Sequence, residues 1–389
     1  MKDQTRLVTL GRDSKHNHGI VNPPVYHAST VLFPTWQALK TKDQRPGRNV
    51  NYGLHGTPTQ FALEDALTGL DGGFRAKLFP SGQAAVAAAI LAVVQAGDHA
   101  LIADSVYGPT RNFCDTYFPR FNIEHDYYDP LIGAGISECL RPNTRLVYVE
   151  SPGSNTFEVQ DVPAIAAALK PSGVKVVMDN TWASPLYFKP FTQGVDLSVQ
   201  AITKYISGHS DVMMGAVTAT EEAWPEVEKT ARLFGQCAAP DDCYLALRGL
   251  RTLAVRLRYQ QQAALALARW FEARPEVARV LHPALPGCPG HEYWKRDFTG
   301  ATGLFGVLLK PRPEAALASM FDGFELFGLG YSWGGYESLL IPTGEGTRRS
   351  IGRWHEQGAL LRVQVGLEAV EDLIADLEAG FTRLSQYHE

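Results

Sequence analysis

The feature that most constrains this chain is a rhythm. Short aliphatic runs, AKLFP (76–80), HALIA (99–103), RLVYVE (145–150) and VKVVMD (174–179), alternate with helix-like segments. Runs so rich in Val, Leu and Ile suit strands covered on both faces, because a half-exposed strand alternates polar and apolar side chains. Between the first two runs lies SGQAAVAAAILAVVQAG (81–97), apolar nearly all round and so expected as a buried helix. DVPAIAAALK (161–170) reads as another helix, between the last two runs. Upstream, TPTQFALEDALTGLDGG (57–73) carries its own punctuation. Thr57 is placed to cap the helix and Pro58 to open it, Leu63, Leu67 and Leu70 fall on one face, and Gly72 and Gly73 close it. This order predicts an α/β fold with a mostly parallel sheet and helices on both faces.

The rest of the 389 residues divides around that unit. Residues 1–56 are rich in Pro, Gly, Asn and Arg without periodicity, and read as an irregular arm; an arm this long is expected to act or to pack on a partner. Residues 57–248 are expected to form the α/β domain. From Gly249 the texture changes to a long helical pattern, LRTLAVRLRYQQQAALALARWFEA (250–273), then TGLFGVLLK, LLRVQVGLE and a final amphipathic helix. Residues 249–389 therefore read as a smaller α+β domain.

Composition narrows the function. Net charge is −5 without like-charge runs, so neither nucleic acid nor a membrane surface is an expected partner. No uninterrupted apolar stretch is long enough for a membrane span. The five cysteines, Cys114, Cys139, Cys237, Cys243 and Cys288, form no Cys-x-x-Cys pair, which argues against a disulfide framework or a zinc site. The polar N-terminus lacks a signal-peptide core. The expectation is a reduced, cytoplasmic enzyme acting on a small molecule, with no metal.

Open α/β sheets bind ligands beyond the carboxyl ends of their strands. After AKLFP come Ser81, Gly82 and Gln83, a turn into a helix; this suits a phosphate, which meets free N–H groups there, and suits an ordinary turn equally. After HALIADS comes Tyr107, an aromatic able to stack on a planar ligand. VKVVM ends in Asp179, and VDLSVQAIT is followed by Lys204. The last two read either as an ion pair with each other or as parts of one site. Taken together, a phosphate turn, a stacking ring, an acid for a ring nitrogen and a lysine for an aldehyde are the parts of a pyridoxal phosphate site.

The chain resembles the Cys/Met-metabolism pyridoxal-phosphate enzymes of fold type I. The resemblance runs through LFPSGQAAV, DPLIGAGI, ESPGSNTFEVQDVPAI, MDNTWASPLYFKP, QAITKYISGHSD, RGLRTLAVRLR, HPALPGCPGHEYWKRDFTGATGLFG and YSWGGYESL. It implies a seven-stranded, mostly parallel large domain, and pyridoxal 5′-phosphate held by Lys204, which would also shuttle protons. Asp179 would pair with the ring nitrogen, and Tyr107 would stack on the ring and help activate the incoming amine, making Lys204, Tyr107 and Asp179 the implied catalytic residues. Gly82, Gln83 and Thr203 would bind the phosphate, with Tyr52 reaching over from a neighbouring subunit. Arg362 would clamp the substrate carboxylate, with Ser332, Trp333 and Asn155 lining the same pocket and Tyr52 also close to the substrate. The implied assembly is a homotetramer of two active dimers. The implied reaction is carbon–sulfur β-cleavage of a thioether amino acid, L-cystathionine to L-homocysteine, pyruvate and ammonia, in methionine biosynthesis. A broader cysteine-S-conjugate lyase, a γ-lyase and an amino-acid racemase are alternatives on the same fold; a non-catalytic binding protein is a fourth.

Four positions depart from the family pattern. Leu54 stands where the arm usually has a phosphate-binding arginine, a charge-assisted contact worth about 1.5–3 kcal/mol. His55, Asn112 and Arg232 stand where an arginine, an acid and a tyrosine are common. All four concern the phosphate or the distal half of the substrate. They leave the chemistry at Cα untouched.

Overall fold

The computed structural model describes residues 1–42, 49–351 and 356–387. Part of the expected arm (43–48) and parts of the expected C-terminal domain (352–355 and 388–389) lie outside the described residues.

Seven strands form the large sheet: β1 (Arg75–Phe79), β2 (His99–Ala103), β3 (Glu124–Tyr128), β4 (Thr144–Glu150), β5 (Lys175–Asp179), β6 (Leu197–Gln200) and β7 (Gly215–Ala219). Their order is β1-β7-β6-β5-β4-β2-β3. β7 pairs antiparallel with β1 and β6, and the other pairs are parallel. A second, four-stranded sheet is antiparallel: β8 (Val277–Leu281), β9 (Leu304–Leu309), β10 (Leu339–Pro342) and β11 (Leu360–Gln364), in the order β10-β11-β9-β8. The expected mostly parallel sheet with a smaller second domain is what forms.

Local chemistry places the helices. Thr57 caps the Pro58–Asp71 helix in a capping box with Gln60, and Gly72 ends it with φ of 85°. A left-handed C-cap of this kind favours glycine. Leu63, Leu67 and Leu70 are buried against the 205–216 region and the Pro240–Glu272 helix, each worth about 2–3 kcal/mol by area removed from water. The helix expected over 81–97 is shorter, Gly82–Leu91. The β-branched pair Val93-Val94 lies past its end, and Gly97, at φ of 90°, turns the chain toward β2.

Three readings of the sequence are adjusted. The arm is not wholly irregular: Asp3–Thr9 is helical and buries Leu7, held by Arg251, which donates to the carbonyls of Leu7 (2.8 Å) and Leu10 (2.7 Å). A seven-residue helix with no side-chain cap leaves little trace in sequence. Second, β6 stops at Gln200, short of the expected end at Thr203, so Lys204 sits in a turn beyond the strand rather than directly after it. Third, one helix of 33 residues, Pro240–Glu272, runs across the 248/249 boundary. Its first half packs against Leu63 and Leu67, and its second half against the small sheet. The change of texture at Gly249 marks a change of packing partner. A Cβ on Gly249 would lie 2.1 Å from the Ser207 carbonyl oxygen, so this glycine lets the helix lie close against the turn that follows Lys204.

His282 is fully buried beside Phe305, and its Nδ1 accepts the Ala284 N–H at 3.1 Å. Burial brings its pKa down from 6.5 to about 3. The unfolded chain therefore takes up this proton before the folded one does. The stability that the neutral ring contributes is complete above about pH 6.5 and is lost as pH falls toward 3, with a slope of up to about 1.4 kcal/mol per pH unit. Urea unfolding at stepped pH should show His282→Asn less stable than wild type at pH 7 but declining less steeply toward pH 4. Parallel declines would refute the assignment.

Candidate active site

A cleft of about 280 Å³ opens at the carboxyl ends of the parallel strands and is closed on one side by the small domain. Lys204, Asp179, Tyr107, Gly82, Gln83, Thr203, Asn155, Trp333 and Arg362 all line it. Ser332 joins them through Lys204: the Lys204 Nζ donates to Ser332 Oγ at 2.6 Å.

The lysine is held by shape as well as by that bond. Gly334, at φ of 91°, lies against the Lys204 backbone, and a Cβ there would come within 2.9 Å of the Lys204 carbonyl carbon. The Nζ stands 5.2 Å from the Trp333 ring centroid. Burial, and then the positive charge of Arg362, bring the amine down to about 8, against an opposing pull from Asp179. Among the described residues Lys204 forms no ion pair, and the Asp179 carboxyl instead accepts the Thr181 N–H at 3.0 Å. The two share one site without forming the closed pair that was the plainer reading of the sequence.

Asp179 has a neighbour that the sequence reading missed. Glu150 ends β4 in direct register with Asp179 on β5, and both residues are half-buried in the lining of the cleft. Burial pushes both above the usual carboxylate range, and for Glu150 the charge of Asp179 adds to the effect. Glu150 Oε2 accepts the backbone N–H of Tyr107 at 2.7 Å, fixing where the ring projects. RLVYVE ends on an acid just as VKVVMD does, so the argument that singled out Asp179 would have found it.

Arg362 reaches the cleft from β11, opposite Gly306 on β9 and Ile341 on β10. Its Nη2 donates to the Ser332 carbonyl at 2.9 Å. Ser332 thus binds the lysine through its side chain and the arginine through its backbone. Trp182, in MDNTWASP, also lines the cleft and donates its indole N–H to the Leu304 carbonyl at 2.9 Å, tying the two domains together at the site.

Pyridoxal phosphate fits these groups. At the start of the Gly82–Leu91 helix, Ser81 Oγ accepts the Ala84 N–H and the Ser81 carbonyl accepts that of Ala85. The N–H groups of Gly82 and Gln83 are left at a positive helix end, where an anion is favoured. A Cβ on Gly82 would lie 2.8 Å from Ala201 Cβ, so only a bare backbone fits between the helix start and the turn after β6. Gln83 Oε1 is buried without a hydrogen-bond partner among the described residues. Lys204 supplies an amine for an aldehyde and Asp179 an acid for a ring nitrogen. Thr203 lines the cleft but sends its hydroxyl proton to the Met214 carbonyl at 3.1 Å, so that proton must turn before it can serve a phosphate.

The remaining predicted positions lie elsewhere on this chain. Tyr52 is exposed on the arm, edge-on to His55, and belongs to a separate groove with Ala28 and Ser29. Arg232 pairs with Glu228 at 3.0 Å on an exposed helix face. Leu54, His55 and Asn112 also stand outside the cleft lining of their own chain.

Residues 4–382 match the model of the Cys/Met metabolism PLP-dependent enzymes. The cystathionine β-lyase of Escherichia coli strain K12 is 45% identical, covering 98% of this chain and 99% of its own length. An L-alanine/L-glutamate racemase of Wolbachia pipientis is 39% identical, covering 99% of this chain and 98% of its own length. A crystal structure of cystathionine γ-synthase from Xanthomonas oryzae pv. oryzae in complex with aminoacrylate and cysteine superposes with a TM-score of 0.90 at 30% identity, covering 99% of both chains.

Proposed function

The chain belongs to the Cys/Met metabolism PLP-dependent enzymes, and from that membership we propose that it is a carbon–sulfur β-lyase cleaving L-cystathionine, with one water, to L-homocysteine, pyruvate and ammonia. The observation that carries this reading is the amine of Lys204, held by Ser332 and set among Asp179, Tyr107 and Arg362 in one cleft.

Pyridoxal phosphate, when bound, supplies an aldehyde that joins an amine and a ring that accepts the electron pair left when Cα–H breaks. Lys204 would hold its aldehyde carbon, Asp179 its ring nitrogen, the N–H groups of Gly82 and Gln83 its phosphate, and Tyr107 its ring face. Arg362 grips the substrate α-carboxylate with a two-pronged guanidinium, and Trp333 and Asn155 wall the amino acid in. Lys204, once its amine is free, takes the Cα proton at Nζ. With a pKa near 8 the same nitrogen is basic enough to accept that proton and acidic enough to pass one to the departing sulfur. The Ser332 hydroxyl, 2.6 Å from Nζ, would hold that nitrogen in place for both transfers.

The arm supports an assembly. Ile20, Val21, Leu32 and Trp36 are exposed on it, and Tyr52 lies outside its own cleft, as a residue completing a neighbour's site would. We read the enzyme as a homotetramer of two active dimers, working in the cytoplasm in methionine biosynthesis. Among the described residues no helix is long and apolar enough to cross a membrane.

The racemase relative favours a second reading, since a base that removes a Cα proton and returns it to the other face needs the same lysine. Product analysis on cystathionine, cystine and an S-alkyl cysteine decides. Pyruvate is expected from all three, with cystathionine turned over best. 2-Oxobutyrate from cystathionine would mean γ-cleavage, and D-alanine formed from L-alanine without keto acid would mean racemisation.

A further inference from the structure

Beneath Tyr107 lies a buried charge network that the reaction scheme does not use. Asp104 and Arg111 are each less than a twentieth exposed. Arg111 Nη2 donates to the Asp104 carboxylate (2.5 Å) and to its carbonyl (2.8 Å). The same carboxylate accepts the N–H groups of Ser350 (2.9 Å) and Ile351 (2.8 Å) from the small domain. Arg349 spans the gap between two loops of the large domain. Its Nη1 donates to the Asp104 carbonyl at 2.5 Å, and its Nη2 to Glu158 Oε1 at 2.7 Å and Thr156 Oγ1 at 2.5 Å.

Those loops carry site residues. The first runs from Asp104 to Tyr107 and the second from Gly153 through Asn155 to Glu158. They touch directly: the Ser154 N–H donates to the Ser105 carbonyl at 2.8 Å, and a Cβ on Gly153 would lie 2.5 Å from Ser105 Cβ. The segment holding Arg349 leads into β11 and so to Arg362. Two guanidiniums and two carboxylates balance here, each with several hydrogen bonds. Buried ion networks contribute little net stability compared with apolar packing of the same shape, so definition of geometry is the better account of one in this place.

We propose that Arg349, with Asp104 and Glu158, is a positioning clamp that sets Tyr107 and Asn155 against each other and fixes both relative to the small domain bearing Arg362. This rests on the lyase reading, because the reaction needs the ring and the substrate carboxylate held at once. Arg349 touches neither substrate nor cofactor; it acts through the backbone of the two loops. A lysine at 349 keeps the charge but cannot bridge Asp104 and Glu158 together.

The test compares cofactor-loaded wild type, Arg349→Ala, Arg349→Lys and Thr156→Val. Three readouts are needed: visible circular dichroism of bound pyridoxal phosphate, kcat and KM for pyruvate formation, and the melting midpoint of the cofactor-free protein. Arg349→Ala should change the visible dichroism and lower kcat/KM about a hundredfold, the scale of an ångström-sized misplacement. Arg349→Lys should recover only a minor part. Thr156→Val removes one bond to the arginine and should show a smaller change of the same kind, which decides the matter if Arg349→Ala does not fold. Unchanged dichroism with kcat/KM close to wild type would overturn the clamp. So would a loss of activity that merely tracks the melting midpoint while the dichroism stays constant. If wild type forms no pyruvate from any thioether amino acid, the lyase reading fails, and the dichroism still decides the clamp.

Discussion

Lys204→Ala is expected to lower pyruvate formation by at least about 10⁴-fold, the upper range for a single general acid–base group, because on the proposed mechanism it would remove the anchor as well as the proton carrier. Borohydride should fix the cofactor covalently to wild type and leave none on the variant. A smaller loss, or cofactor still fixed by borohydride, would mean that another amine does the work. The free amine gives an independent reading through pH. Its pKa is lowered to about 8 by burial and by Arg362, and only the uncharged amine attacks an aldehyde. Covalent uptake of pyridoxal phosphate by the cofactor-free protein should therefore accelerate about tenfold per pH unit below 8 and level off above it. An ordinary exposed lysine would still be accelerating at pH 10.

Most of the fold was legible because it is written in local terms. A strand covered on both faces reads as an aliphatic run. A helix start reads as Thr57-Pro58, and its end as Gly72. Four of the cleft residues sit at or beyond the ends of such strands or at a helix start, so the general rule for α/β sheets pointed to Gly82, Tyr107, Asp179 and Lys204. The small-domain half of the site had no such guide. Arg362 lies within a strand, Ser332 and Trp333 in an irregular loop, and only the family resemblance named them. Arg349 was invisible to both routes. It is one arginine in a polar stretch, and its meaning depends on Asp104 and Glu158, 245 and 191 residues away in sequence. The long helix was misread at its boundary for a similar physical reason: a helix that serves two cores changes composition along its length without a break.

Arg362→Ala should lower kcat/KM for cystathionine by about 10²- to 10³-fold, within the 2–5 kcal/mol range for truncating a buried, hydrogen-bonded charge. Most of the loss should appear as a raised KM, since in the proposed role the guanidinium would bind the carboxylate in the ground state and the transition state alike. Part should appear in kcat. Arg362 Nη2 holds the Ser332 carbonyl, and Ser332 Oγ holds the Lys204 amine, so on the proposed mechanism the arginine would help aim the proton carrier. Ser332→Ala and Arg362→Ala should accordingly be less than additive in the double variant. The charge itself has a second effect, with a definite sign. Arg362 depresses the Lys204 amine, so its removal must raise that pKa and move the plateau of cofactor uptake to higher pH. Arg362→Lys separates the two contributions. It keeps the positive charge, and so should keep the uptake profile, but it gives up the two-pronged grip and so should keep most of the KM defect. An arginine that merely decorated the surface would leave KM, kcat and the uptake profile all unmoved.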